Sequence, residues 1–256
     1  MSKLSRRRII TTGLGAAAGV SGLAVAARLA NQYGLIPPDH HGLYGVGETL
    51  TYASMRLLMS QGSKAREFDR GQITPVPHPN YPGGGPPNDE AFERLRDGRF
   101  ADWTLTIDGL VTRPTTLSLA DLKALPSSNQ ITQLACEEGW SFIAEWIGTP
   151  IFRVLDEVGV RPEARYLVYY SHQEPWWDSL HLTEALHPQT ILAYGMNGSD
   201  LPLAHGAPIR LRIPHQLGYK SLKHLNRITL TDDLKQVENG LGSLHPEFGF
   251  SWYAGI

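Results

Sequence analysis

Proline and glycine interrupt this chain so often that long helices have little room to form. There are 18 prolines and 26 glycines in 256 residues. Proline removes a backbone donor and glycine costs entropy inside a regular element, so both collect in turns and at element ends. The reading is a strand-dominated α+β fold rather than a helix bundle. A hydrophobic fraction of 41% supplies a core for one large or two small domains. With 23 Lys+Arg against 25 Asp+Glu the net charge is −2. That balance gives no general attraction for nucleic acid or acidic lipid, so any basic site must be local.

Three regions follow. Residues 1–30 carry Ser5-Arg6-Arg7-Arg8-Ile9-Ile10 and then an uncharged run of 17 small and apolar residues, Thr11 to Ala27. This is the arrangement of an export signal, and the arginines resemble the twin-arginine type that carries folded proteins across the bacterial inner membrane. The run is short for a spanning helix, and Ala24-Val25-Ala26 lies deep inside it. The expectation is a periplasmic or exported protein, with retention of the segment as a membrane anchor as the alternative. Export after folding points to a cofactor loaded before transit. Residues 31–98 read as an irregular wrapping segment rich in Pro and Gly, with a short helical candidate at Thr49–Gly62.

Residues 99–256 hold the body and a short C-terminal tail. Trp103–Gly109, Asn129–Cys136, Ala164–Ser171, Thr190–Met196, Ala207–Pro214 and Leu225–Leu230 read as strands. Ser118 with Asp121 three residues on predicts a capped short helix. Thr149 as N-cap and Pro150 as first residue predict a second helix, with Ile151, Val154, Leu155 and Val158 on one face and Gly159 as its stop.

Three groups of residues could carry chemistry. Cys136 is the only cysteine, and an oxidising compartment usually pairs its thiols. It is therefore a buried small hydrophobe, a mixed-disulfide partner, a nucleophile or a metal ligand. In Leu203–Leu225, Arg210 and Arg212 share the strand face opposite Ile209, Leu211 and Ile213, and Lys220 and Lys223 follow a glycine turn. Such a set suits a phosphate, since guanidinium binds oxyanions through paired donors; the bland alternative is a solvated strand face. The spacing of His172, His181 and His187 matches no zinc motif, which leaves a zinc hydrolase weakly supported.

The segments "ACEEGWSFIAEWIGTPI", "ILAYGMNGSDLPLAHGAPIRLRIP" and "LGYKSLKHLNRI" together resemble the sulfite-oxidase-type molybdopterin-binding domain, in particular its exported bacterial branch of methionine-sulfoxide reductases, over about residues 100–232. The resemblance implies a mixed-sheet fold with short helices and a molybdenum-molybdopterin cofactor. It implies that Cys136 ligates the metal, with Glu138 and Tyr194 as active-site groups able to deliver a proton. It further implies that Ser171, His205, Arg210, Lys220, Ser221, Leu222 and Lys223 hold the pterin and its phosphate. His205 departs from the asparagine of the methionine-sulfoxide reductases, and His78, Asn80 and Tyr81 are loose stand-ins for their Asn-Asn-Phe-Tyr segment. The implied activity is two-electron oxo transfer, reducing a small or protein-bound S-oxide or N-oxide. Sulfite dehydrogenation is the alternative, disfavoured because Glu137 and Glu138 would repel an anion. A non-catalytic binding module and a metal hydrolase are the remaining alternatives. With one cysteine there is no C-x-x-C-H haem motif, so electrons are expected from a separate partner such as a membrane cytochrome. A monomer is expected.

Overall fold

The computed structural model describes residues 28–30, 34–41, 45–58, 62–79 and 85–256. The twin-arginine stretch with its apolar run to Ala27, and Asn80 and Tyr81, lie outside them. Along the chain the elements are α1 (Gly45–Leu58), α2 (Glu90–Asp97), β1 (Thr104–Gly109), β2 (Thr115–Ser118), α3 (Leu119–Ala124), β3 (Ser128–Ala135), β4 (Ser141–Pro150), α4 (Ile151–Val158), β5 (Tyr166–Ser171), β6 (Trp177–His181), α5 (Leu182–Ala185), β7 (Ile191–Met196), β8 (Ser199–Asp200), β9 (Arg210–Arg212) and β10 (Leu225–Thr231). They build two five-stranded sheets, one ordered β2-β1-β10-β5-β6 and the other β3-β4-β7-β8 with β9 also on β7. Only β1 and β10 run parallel among the named strands. The mixed-sheet α+β architecture expected from the sequence is the one found.

Both sheets send side chains into one core. Leu105, Ile107, Leu167, Tyr169, Ile228 and Leu230 come from the first sheet, and Leu192 and Leu211 from the second. All four predicted residues of α4, Ile151, Val154, Leu155 and Val158, are buried there, each contributing about 1.5–3 kcal/mol relative to exposure. The start of α4 differs from expectation. Thr149 belongs to β4 and donates its hydroxyl to Leu122 O at 2.7 Å, while Pro150 takes the cap position without a side-chain bond. Gly159 ends the helix at φ 69°, where an added Cβ would lie 2.3 Å from Thr112 Oγ1. The cap of α3 is as expected: Ser118 Oγ accepts from Asp121 N, and the Asp121 carboxylate accepts from Ser118 N.

The ten-residue β4 is the main element that pattern reading missed. Its neighbours cover both faces, so Phe142, Ala144 and Trp146 alternate with Ile143, Ile147 and a buried Glu145 that pairs with Arg70, rather than with solvated polar residues, and the register shifts after Ile147. Part of the wrapping segment lies against this sheet. Glu67 bridges to Thr132 and Phe68 N donates to Ile131 O, which covers the outer edge of β3, while Thr74 N donates to Ile143 O of β4. The C-terminal stretch is more than a tail. Leu234, Leu244 and Trp252 pack with Tyr52, Val168 and Trp177 on the outer face of the first sheet.

Candidate active site

β3 delivers Leu134 and Cys136 to one face, because side chains two apart point the same way. The chain then reverses: Cys136 N donates to Trp140 O at 2.9 Å and Gly139 N to Cys136 O at 3.1 Å. Gly139 takes φ 90°, a left-handed value that glycine adopts without strain. The thiol is buried and donates to Glu137 Oε2 at 3.2 Å, with Glu138 Oε2 at 3.9 Å. Glu138 also accepts from the Trp140 indole at 2.7 Å. Burial first, then the bond and charge of Glu137 and the charge of Glu138, push the thiol up to about 12, against an opposing backbone bond at Glu138. A bare thiol so placed stays protonated near neutrality and makes a poor nucleophile. A soft cation reverses this, since a coordinating thiol gives up its proton.

Cys136 opens onto a cavity of about 300 Å³ whose wall also includes Ser171, His205, Arg210, Ser221, Leu222 and Lys223. Gly218 brings the opposite loop close; a Cβ there would lie 3.0 Å from Leu134 Cδ2 and 3.7 Å from Cys136 Cα. Arg210 is 3% exposed. Its Nη1 donates to His205 O at 3.1 Å and its Nη2 to Ser221 O at 2.5 Å, while its buried Nε has no hydrogen-bond partner. Among the described residues no carboxylate forms an ion pair with it. Burial draws its guanidinium down to about 9. Lys223, which donates to Ala204 O at 2.6 Å, is drawn down to about 7 by burial and then by Arg210, with Cys136 pulling the other way. A buried guanidinium without a counter-charge is costly unless an anion completes it. The wall therefore fits a group that presents soft sulfur and a metal to Cys136 and a phosphate to Arg210 and Lys223.

Of the residues read from the sequence, Cys136, Glu138, Ser171, His205, Arg210, Ser221, Leu222 and Lys223 converge on this cavity. Two do not. Tyr194 is absent from the cavity wall and packs in the core shared by the two sheets, with the Lys123 ammonium 5.5 Å from its ring. The strand alternation explains this, because Ile191 and Ala193 join Leu134 and Phe142 on the Cys136 side of the sheet while Leu192 and Tyr194 face the other way. Lys220 is fully buried, and its ammonium donates to Asp178 Oδ1 and Ser179 O. It is a structural cation. Arg212 is also off the cavity, donating to Thr132 Oγ1 and Gln133 O. Its guanidinium and that of Arg210 lie 5.4 and 5.3 Å from the Trp146 ring, a cation–π contact that offsets part of their burial. The solvated strand face is thus excluded.

Several wall residues have no assigned role in the sequence: Trp176, Tyr219, His224, His245, Phe248 and Phe250. The last three came from the segment read as a tail, where no motif stands out. His78, which stacks on Trp140 at 4.6 Å, was legible only through the resemblance.

The chain has relatives among known proteins. The family model described as an oxidoreductase molybdopterin binding domain matches residues 94–238. A candidate protein-methionine-sulfoxide reductase subunit, YedZ1, of Azospira oryzae is 32% identical over 191 residues, 73% of this chain and 70% of that protein. The protein-methionine-sulfoxide reductase catalytic subunit MsrP of Xanthomonas axonopodis pv. citri is 34% identical over 168 residues, 59% of this chain and 52% of the relative. This chain thus spans about half the length of the MsrP relatives it matches. Among solved structures, the sulfane dehydrogenase SoxCD of Paracoccus pantotrophus superposes with a TM-score of 0.50 at 25% identity, covering 52% of this chain and 39% of that one.

Proposed function

This chain belongs to the oxidoreductase molybdopterin-binding domain family, and from that membership we propose that it is an exported molybdenum-cofactor enzyme that reduces a neutral S-oxide or N-oxide. The carrying observation is the presence, in one cavity wall, of a buried thiol and a buried arginine whose Nε lacks a partner. Molybdenum, when bound, supplies two-electron oxo transfer. Cys136 would hold it through sulfur, and Arg210, Lys223, His205 and Ser221 would hold the pterin and its phosphate. Glu138, fixed to the Trp140 indole, and Glu137 give the cavity negative charge that disfavours sulfite and admits an uncharged guest. The wall's aromatic side, with Phe248 59% exposed, suits a side chain presented by a larger molecule. This supports methionine sulfoxide in proteins, the substrate for which the MsrP relatives are named. The twin-arginine pattern supports periplasmic delivery, with electrons arriving from a separate membrane partner and the catalytic chain acting as a monomer.

Elemental analysis of protein exported from a molybdenum-replete host tests the assignment. One molybdenum per chain supports it, whereas zinc would indicate a hydrolase and no metal a binding module. Assays of sulfoxides, N-oxides and sulfite with artificial electron donors and acceptors then fix the direction; turnover of sulfite alone would contradict the proposed one.

A further inference from the structure

We infer that His245 is the residue that passes protons into the cavity, with Asp178 as its positioning partner. This rests on the oxo-transfer reading above and adds to it a group from the C-terminal segment. His245 begins the 3-10 turn His245–Phe248 and lines the cavity that holds Cys136. Its ring is gripped by Tyr219, Trp176 and Phe250, with centroids 4.7, 5.9 and 6.5 Å away. Nδ1 lies 3.1 Å from Ser243 Oγ and 3.3 Å from Asp178 Oδ2. Asp178 is fully buried, and its Oδ1 accepts from Lys220 Nζ and Ser179 N. Its Oδ2 is buried without a hydrogen-bond partner. An orphaned carboxylate oxygen at ion-pair distance from an imidazole is the element that orients a histidine: a proton held on Nδ1 satisfies Oδ2 and leaves Nε2 for the cavity. No described residue forms a hydrogen bond with Nε2.

Of the other titratable groups on this wall, Glu137 accepts from the Cys136 thiol, Glu138 accepts from the Trp140 indole, and His78 stacks on Trp140. The Tyr219 hydroxyl donates to Ser251 O at 2.6 Å, and Lys220 is spent on Asp178 and Ser179. Burial draws His205 and His224 down to about 4, and Tyr194 lies outside the wall. Reduction of a neutral S-oxide breaks the S–O bond and releases the oxygen as water, taking up two electrons and two protons. The electrons come from the bound two-electron cofactor. Nε2–H of His245 supplies a proton and is reprotonated from solvent. Run in reverse on sulfite, the same half-reaction releases two protons and two electrons.

The test uses the metal-loaded full-length protein. Long-range ¹H–¹⁵N NMR follows the His245 ring through a pH titration while kcat/KM for dimethyl sulfoxide is measured over the same range with an artificial donor. The expected result is a rate that falls as pH rises, with a midpoint matching the His245 titration. The His245→Gln variant keeps its molybdenum, loses about 100-fold in kcat/KM at neutral pH and loses that limb; His245→Ala regains rate with added imidazole. A kinetic midpoint that does not match the ring titration of the unmodified protein overturns the inference, whatever the variants do. So does an unchanged limb in His245→Gln, or a limb that disappears in His78→Gln instead. If the protein oxidises sulfite and reduces no sulfoxide, the proposed direction fails while the proton limb still decides on His245.

Discussion

Replacing Lys220 by Met tests whether this lysine is a structural cation or a phosphate ligand. Lys220 and Asp178 are 1% and 0% exposed at their side chains. The ammonium also donates to Ser179 O at 2.9 Å and sits 5.4 Å from the Trp252 ring. Methionine keeps the stem packed but leaves the Asp178 carboxylate buried without its cation, which costs about 3–5 kcal/mol. That is a large part of the roughly 5–15 kcal/mol that holds a domain folded, and at ~2–4 °C per kcal/mol it lowers Tm by about 6–20 °C. The pH of the assay matters. Although burial pushes Asp178 up, Lys220 and His245 hold it below the usual carboxylate range. Its stabilising contribution is therefore present above the unfolded-state value and lost as pH falls through the folded one, so the comparison belongs at pH ~7. Urea denaturation followed by tryptophan fluorescence gives the energy. The double variant Lys220→Met, Asp178→Asn recovers most of the loss, because it removes both charges together. A single variant within about 1 kcal/mol of the parent, the range of exposed pairs, would refute the reasoning. So would a variant of unchanged stability that has lost its cofactor.

Three further outcomes follow from the geometry. Arg210→Met lowers molybdenum per folded chain, and Arg210→Lys does so partly because a lysine lacks the guanidinium fork; equal occupancy in Arg210→Met by elemental analysis contradicts Arg210 as an anion holder. Glu48 is raised to about 7, first by burial and then by the bond and charge of the buried Asp39, while it accepts from Ser251 Oγ at 2.8 Å. A carboxyl raised in the folded state stabilises below its unfolded value of 4.5 and loses that contribution as pH rises through about 7. Urea midpoints should fall over that window in the parent and less so in Glu48→Gln; identical slopes would contradict it. Gly159→Ala should cost more than about 1 kcal/mol, because φ is 69° and the Cβ meets Thr112 Oγ1 at 2.3 Å; a neutral melting shift argues against this.

Legibility followed physical cause. The α4 face was readable because its four apolar residues sit at helical spacing and only one side of the helix is buried. β4 was not, because a strand covered on both faces loses its alternation, and Trp177–His181 carries the buried Asp178 that a pattern reader assigns to surface. Cys136, Arg210 and Lys223 stand out in the sequence as a lone thiol and clustered cations, but their roles came from the resemblance, and the structure brings the three to one cavity wall. Tyr194 was misplaced because a motif gives position along the strand, while the pleat decides the face. The place of Lys220 is not legible, because its partner Asp178 lies forty-two positions earlier and meets it only in the folded core. His245 left no local signal at all; its role depends on a return of the chain across the first sheet.

In the proposed function the sulfur of Cys136 binds the metal. X-ray absorption at the molybdenum edge, on the loaded protein and on Cys136→Ser, reads this directly. The serine variant is expected to have one sulfur neighbour fewer around molybdenum, with the pterin still bound through Arg210 and Lys223. An unchanged sulfur shell in Cys136→Ser, or a parent protein that binds molybdenum without a protein sulfur, would contradict it.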